Sequence, residues 1–212
     1  MCIRDRDGNF GALGHGIGNG QTKDLLRLSD GRLYKAQVLG IKKGVRGTPG
    51  ELEGVVYYGK DNQIGEVSSN TQIGIYGTLT KNFREEKKNE SLLCPVGYKQ
   101  EIQTKDAVIL SDASGELQSY RIVIDDLDYT PGDKNKGIRF HVEDENLLKL
   151  TGGIVQGLSG SPILQDGKLI GAVTHVLVND PTKGYGIFVE KMTGNKICLL
   201  YTSDAADDLI GV

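Results

Sequence analysis

Tryptophan is absent from the 212 residues, proline occurs only 5 times and cysteine 3 times. So little proline excludes a collagen-like or proline-rich chain. Cys2, Cys94 and Cys198 form no CxxC pair and no zinc spacing, and their odd number argues against a disulfide framework. An excess of one charge is also lacking: 25 Lys+Arg against 28 Asp+Glu leaves a net charge of −3. That balance gives no electrostatic case for nucleic acid or an anionic membrane surface. No apolar run approaches the ~20 residues of a membrane helix, so direct membrane insertion of this stretch is not expected.

Glycine, by contrast, is abundant. Its 30 residues are about twice the usual share of roughly 7% and lie scattered between short apolar runs, as in a chain of many turns. Strands are expected at Leu33–Ile41, Gly54–Tyr58, Gln72–Leu79, Ser119–Ile124, Gly137–Val142, Ala172–Val178 and Tyr185–Val189. Ile163–Ile170 reads as a hairpin with Asp166-Gly167 at its turn. One short helix is expected within Asp144–Leu150, with Asp144 as its N-cap, and the charge-rich Phe83–Ser91 reads as an exposed loop. Many short strands without βαβ alternation predict an all-β barrel or sandwich. The two ends break this pattern. Residues 1–6 and 196–212 read as foreign to the middle, like translated adapter sequence, which puts the domain at 7–195.

Chemistry concentrates in two glycine-rich segments. In Gly152-Gly153-Ile154-Val155-Gln156-Gly157-Leu158-Ser159-Gly160-Ser161-Pro162, a tight turn presents Ser159 as a nucleophile candidate. Gly157 lets the chain turn so that its own N–H and that of Ser159 face one small space, as an oxyanion hole requires. In Phe10–Gly18, His15 is flanked by glycines, which leaves room for a general base to reach a hydroxyl. That segment lacks the spacing of a phosphate-binding loop. A base of this kind needs an orienting carboxylate, and Asp125, Asp126, Asp128, Asp144 and Asp180 are the candidates. A His–Asp–Ser chain order removes only Asp180. His141 is a rival base. No H-E-x-x-H is present, so no metal or other cofactor is expected.

Three phrases carry a resemblance: GALGHG around His15, TGGIVQGLSGSP around Ser159, and GAVTHVLVNDPTKGYGIFVE after it. They resemble the SpoIVB-type serine peptidases, stage IV sporulation protein B, of endospore-forming bacteria. The resemblance implies a chymotrypsin-like double β-barrel, N-terminally truncated here, because family members carry a membrane-spanning segment and a PDZ domain before the peptidase. It places the catalytic trio on Ser159, His15 and Asp144, and it makes the strand bearing Thr174 and His175 the candidate wall of a specificity pocket. It also implies export to the space between the two forespore membranes. There such enzymes cleave themselves and a membrane-anchored regulator of an intramembrane protease, which activates a late sigma factor. The alternative is a catalytically inactive peptidase-like β-barrel that serves as a peptide-binding module.

Overall fold

In a computed structural model, residues 2–4, 7–20, 24–86, 94–130 and 132–193 are described. The second half forms a closed six-stranded barrel. Its strands are β8 (Asp106–Ser111), β9 (Gln118–Leu127), β10 (Ile138–Val142), β11 (Pro162–Gln165), β12 (Lys168–Leu177) and β13 (Asp180–Phe188), joined in the order β10-β13-β12-β11-β8-β9. Strict alternation drives it: β8 and β10 bury every second residue. The inward side chains Ile109, Ile122, Ile124, Ile138, Phe140 and Ile163 form the interior. The β11–β12 turn is the expected one. Asp166 (φ 51°) and Gly167 (φ 76°) both take the left-handed conformation that a two-residue type I′ hairpin demands.

The first half differs from the expected second barrel. It is an open five-stranded sheet in the order β1-β2-β7-β6-β3. Its members are β1 (Cys2–Arg4), β2 (Asn9–Ala12), β3 (Arg32–Tyr34), β6 (Gln63–Thr71) and β7 (Gly74–Leu79). Cys2–Arg4, set outside the domain in the sequence reading, pair with β2. Residues 196–212 lie outside the described residues. The sheet stays open because the chain between β3 and β6 pairs with itself. β4 (Ala36–Lys42) and β5 (Glu51–Val56) form a separate two-stranded ribbon instead of bridging β3 to β1.

Two expectations are corrected. Part of the supposed loop Phe83–Ser91 belongs to α1 (Lys81–Glu86), and residues 87–91 of it lie outside the described residues. Phe83, packed against the Phe10, Ala12, Ile75 and Leu79 cluster, anchors that helix despite the surrounding charge. The stretch expected as one strand over Leu33–Ile41 is β3 and β4, broken at Lys35, whose N–H donates to the Asn62 carbonyl.

The two halves meet along a narrow apolar seam of Ala172, Ile187 and Met192, with Ile73 packed against them. Polar ties reinforce it. The Tyr76 hydroxyl donates to the Met192 carbonyl at 2.8 Å, and Asn135 Nδ2 donates to the Gln72 carbonyl at 2.9 Å. No helix among the described residues is long and apolar enough to cross a membrane.

Candidate active site

The Ser159 turn is built from the preceding helix. Asp144 caps α2 (Glu145–Thr151), accepting from the N–H groups of Asn146 and Leu147, and Gly152 ends it in the left-handed conformation. Gly153 follows at φ 131°, where a Cβ would sit 2.2 Å from the Pro181 carbonyl oxygen, so only glycine fits. Gln156 is then held by the ribbon: its N–H donates to the Gly50 carbonyl, and its own carbonyl accepts from Leu52. Gly157 turns the chain at φ 102° with Leu52 packed over it.

The amides of this turn are used selectively. Leu158 N–H donates to Val155, Gly160 N–H to Val173 and Ser161 N–H to Leu158. The N–H groups of Gly157 and Ser159 have no partner among the described residues. Two unspent amides flanking a bonded one are what an oxyanion site requires. Ser161 is buried with its main chain paired to Leu158 and Val173.

The His15 loop comes from the other half and sits on the same strand. After β2, Leu13 (φ 70°) and Gly14 (φ 72°) are both left-handed. A Cβ on Gly14 would lie 2.8 Å from Ile187 Cγ2 and 2.9 Å from Thr174 Cγ2, so the loop backbone rests directly on β12 and β13. On the other side, Asn70 holds the chain after His15: its Oδ1 accepts from Ile17 N–H, and its Nδ2 donates to the carbonyls of Ile17 and Leu26. His15 Nδ1 lies 2.9 Å from the Gly16 carbonyl. A carbonyl can only accept, so Nδ1 carries a proton, which in the neutral ring leaves the lone pair on Nε2.

Ser159 and His15 thus converge on one short piece of β12. Ser159 Oγ donates to the Thr174 carbonyl at 3.2 Å, and the His15 ring lies 5.7 Å, centroid to centroid, from the ring of the next residue, His175. No hydrogen bond joins Ser159 to His15 among the described residues. Thr174, expected in a pocket wall, is buried, with its hydroxyl donating to the Asn135 carbonyl at 2.6 Å and the Tyr185 carbonyl also within reach at 3.1 Å. His175 is held towards its neutral form by burial, with the charges of His15 and Lys136 adding to that and Asp133 opposing it.

The carboxylates are elsewhere. Asp144 Oδ1 is spent on the helix cap, and Oδ2 accepts from Arg121 N–H. Asp125 pairs with His141 Nδ1 at 2.7 Å, which places that rival base in an acidic cluster with Glu143 on the barrel. Asp126 faces Arg139, Asp128 accepts from Thr130 N–H, and Asp180 accepts from Thr182 and pairs with Lys183. Among the described residues no carboxylate hydrogen-bonds His15. The group on its Nδ1 is a main-chain carbonyl, which no side-chain motif could have signalled. Among the same residues no cluster of His, Cys, Asp and Glu suits a metal ion.

Asp144→Ala is therefore expected to act on stability first. Losing the cap costs about 1 kcal/mol, within a range of about 0.5–2, seen as a lower midpoint in urea. The reaction rate of Ser159 should fall less than tenfold. A fall of about 10⁴-fold, typical when the orienting carboxylate of a triad is lost, would return that role to Asp144.

A barrel that presents a serine beside two free amides, with a histidine loop from the other half seated on the adjoining strand, has the build of a serine hydrolase. Comparison with known proteins makes the assignment specific. Residues 2–193 match the SpoIVB peptidase S55 family. The chain belongs to that family and is a serine peptidase. Among solved structures it is similar to the Rv3671c protease of M. tuberculosis H37Rv. A serine-to-alanine mutant in its inactive form matches at a TM-score of 0.39 and 15% identity, covering 66% of this chain and 70% of that one. A second structure of that protease, also inactive, matches at a TM-score of 0.38 with the same identity and coverage. No curated protein matches the chain.

Proposed function

We propose that the chain hydrolyses peptide bonds through an acyl-enzyme on Ser159. His15 Nε2 takes the hydroxyl proton as Oγ attacks the substrate carbonyl. The N–H groups of Gly157 and Ser159 receive the charge that develops on the carbonyl oxygen. His15 then gives its proton to the leaving amine, and water releases the acyl group by the reverse sequence. The Gly16 carbonyl keeps His15 in the tautomer this needs, while Asp144, by capping α2, fixes the segment that leads into the turn. The observation that carries this reading is the seating of Ser159 and His15 on the adjacent residues Thr174 and His175 of β12.

The family suggests the setting. The substrates are proteins, and the finer reading is a sporulation signal: cleavage of this protein itself and of a membrane-anchored regulator of an intramembrane protease, in the exported compartment between the forespore membranes. A fluorophosphonate probe tests the chemistry without knowledge of the substrate. Stoichiometric labelling mapped to Ser159 by peptide mass is expected, along with loss of label in His15→Ala. Failure of the folded chain to label would favour the peptide-binding module instead.

A further inference from the structure

We infer that His175 is a positioning residue for His15: its ring braces the catalytic imidazole from the strand side, while the Gly16 carbonyl holds Nδ1. This rests on the serine-peptidase reading above and adds to it.

The His15 backbone is clamped on both sides. Gly14 is pressed on Ile187 and Thr174, and Gly16 is so close to Leu25 and to the Thr71 carbonyl that neither glycine has room for a Cβ. The backbone is therefore fixed, and the side-chain torsions remain to be set. One nitrogen is tied to the Gly16 carbonyl, but a single hydrogen bond leaves the ring free to pivot about that contact. The second contact is His175, 5.7 Å away at an interplanar tilt of 47°. Together the two contacts limit how far the ring can pivot.

His175 is itself well supported. It is half-buried on β12, beside Thr174, whose hydroxyl ties the strand to the Asn135 main chain. Asn135 in turn reaches across the seam to Gln72. The titratable groups facing His175 are His15, Lys136 and Asp133, and Lys136 and Asp133 are paired with each other at 2.9 Å. His175 Nδ1 is buried and has no hydrogen-bond partner among the described residues. The contact His175 makes with His15 is through the ring and not through a hydrogen bond. The burial of His175, which favours the neutral form, also suits the role, because a charged neighbour would repel the imidazolium that forms at His15 during attack.

The test separates rate from affinity. For wild type, His175→Ala and His175→Phe, the inactivation rate constant and the half-saturating concentration are measured with the same fluorophosphonate. His175→Ala is expected to lower the rate constant about 30-fold, with half-saturation and final labelling stoichiometry unchanged. His175→Phe, which restores a ring without a nitrogen, is expected to recover the rate to within about threefold. Should His175→Ala not fold by circular dichroism, His175→Gln takes its place with the same expected loss. An unchanged rate in these variants overturns the inference. So does an equal loss in His175→Phe, and so does a change confined to half-saturation, which would make His175 a pocket wall. If wild type and Ser159→Ala label alike, the serine-peptidase reading itself fails, and that result is distinct from all of these.

Discussion

Ser159→Ala is expected to abolish fluorophosphonate labelling and to lower hydrolysis of a small ester, such as p-nitrophenyl acetate, by roughly 10⁴-fold or more. Without Oγ no acyl-enzyme forms, and only attack by water beside the two amides remains. The fold should survive. Ser159 Oγ makes one hydrogen bond, to the Thr174 carbonyl, at a partly exposed site. Its loss is worth about 1 kcal/mol, a few degrees in melting temperature at most. His15→Ala should lose a comparable factor, and the double variant should lose little more than either single one, because nucleophile and base act as a unit. Additive losses would mean that His15 acts independently of Ser159. Retained ester hydrolysis at wild-type rate in Ser159→Ala would place the nucleophile elsewhere.

Gly157→Ala is expected to lower the acylation rate by about 10²–10³-fold, the cost of one oxyanion donor. Two features force this. Gly157 sits at φ 102°, where an L-residue costs about 1–3 kcal/mol. A Cβ there would also lie 2.9 Å from Leu52 Cβ and 3.0 Å from Leu52 Cγ. Both are relieved by rotating the peptide plane, and that rotation turns the free N–H away from the site. The second variant Leu52→Gly, which removes Cβ as well, separates the causes. Combined with Gly157→Ala it removes the clash but not the φ strain, so it should recover little of the rate. Full recovery of rate would show that the clash alone mattered. An undiminished rate in Gly157→Ala would mean that this amide is not an oxyanion donor.

The β4–β5 ribbon gives this prediction its structural interest. Through Gly50, Leu52 and Gln156 it makes one parallel bridge to the Ser159 turn, although it belongs to the first half of the chain. The sequence showed β-branched residues there but nothing about their partner. Main-chain pairing carries no side-chain signature, and Gln156 lies about a hundred positions away.

Some features were legible because they are local. The β11–β12 hairpin follows from Asp166-Gly167, the only pair there able to take two consecutive positive φ angles at little cost. The α2 cap follows from the short side chain of Asp144, which reaches two amides of its own first turn. The alternation in β10 is a period of two written directly in IRFHV. β6 and β8 went unread. In β6, Gln63–Thr71 is mostly polar and glycine-containing, and it is held by ladders on both sides rather than by its own pattern.

Sequence by itself determined the class of chemistry: a serine and a histidine each cushioned by glycines, in phrases that mark the peptidase family. Only the tertiary structure decided which groups lie beside them. Asp144 meets the local demand of a helix end, where unpaired amides lie within reach of its own side chain, and that short-range demand is visible in the chain. The neighbours of His15 are the Gly16 carbonyl and the His175 ring. One is main chain and the other lies 160 positions away. Contacts of that kind are set by how two sheets close over a seam, and residue order does not encode them.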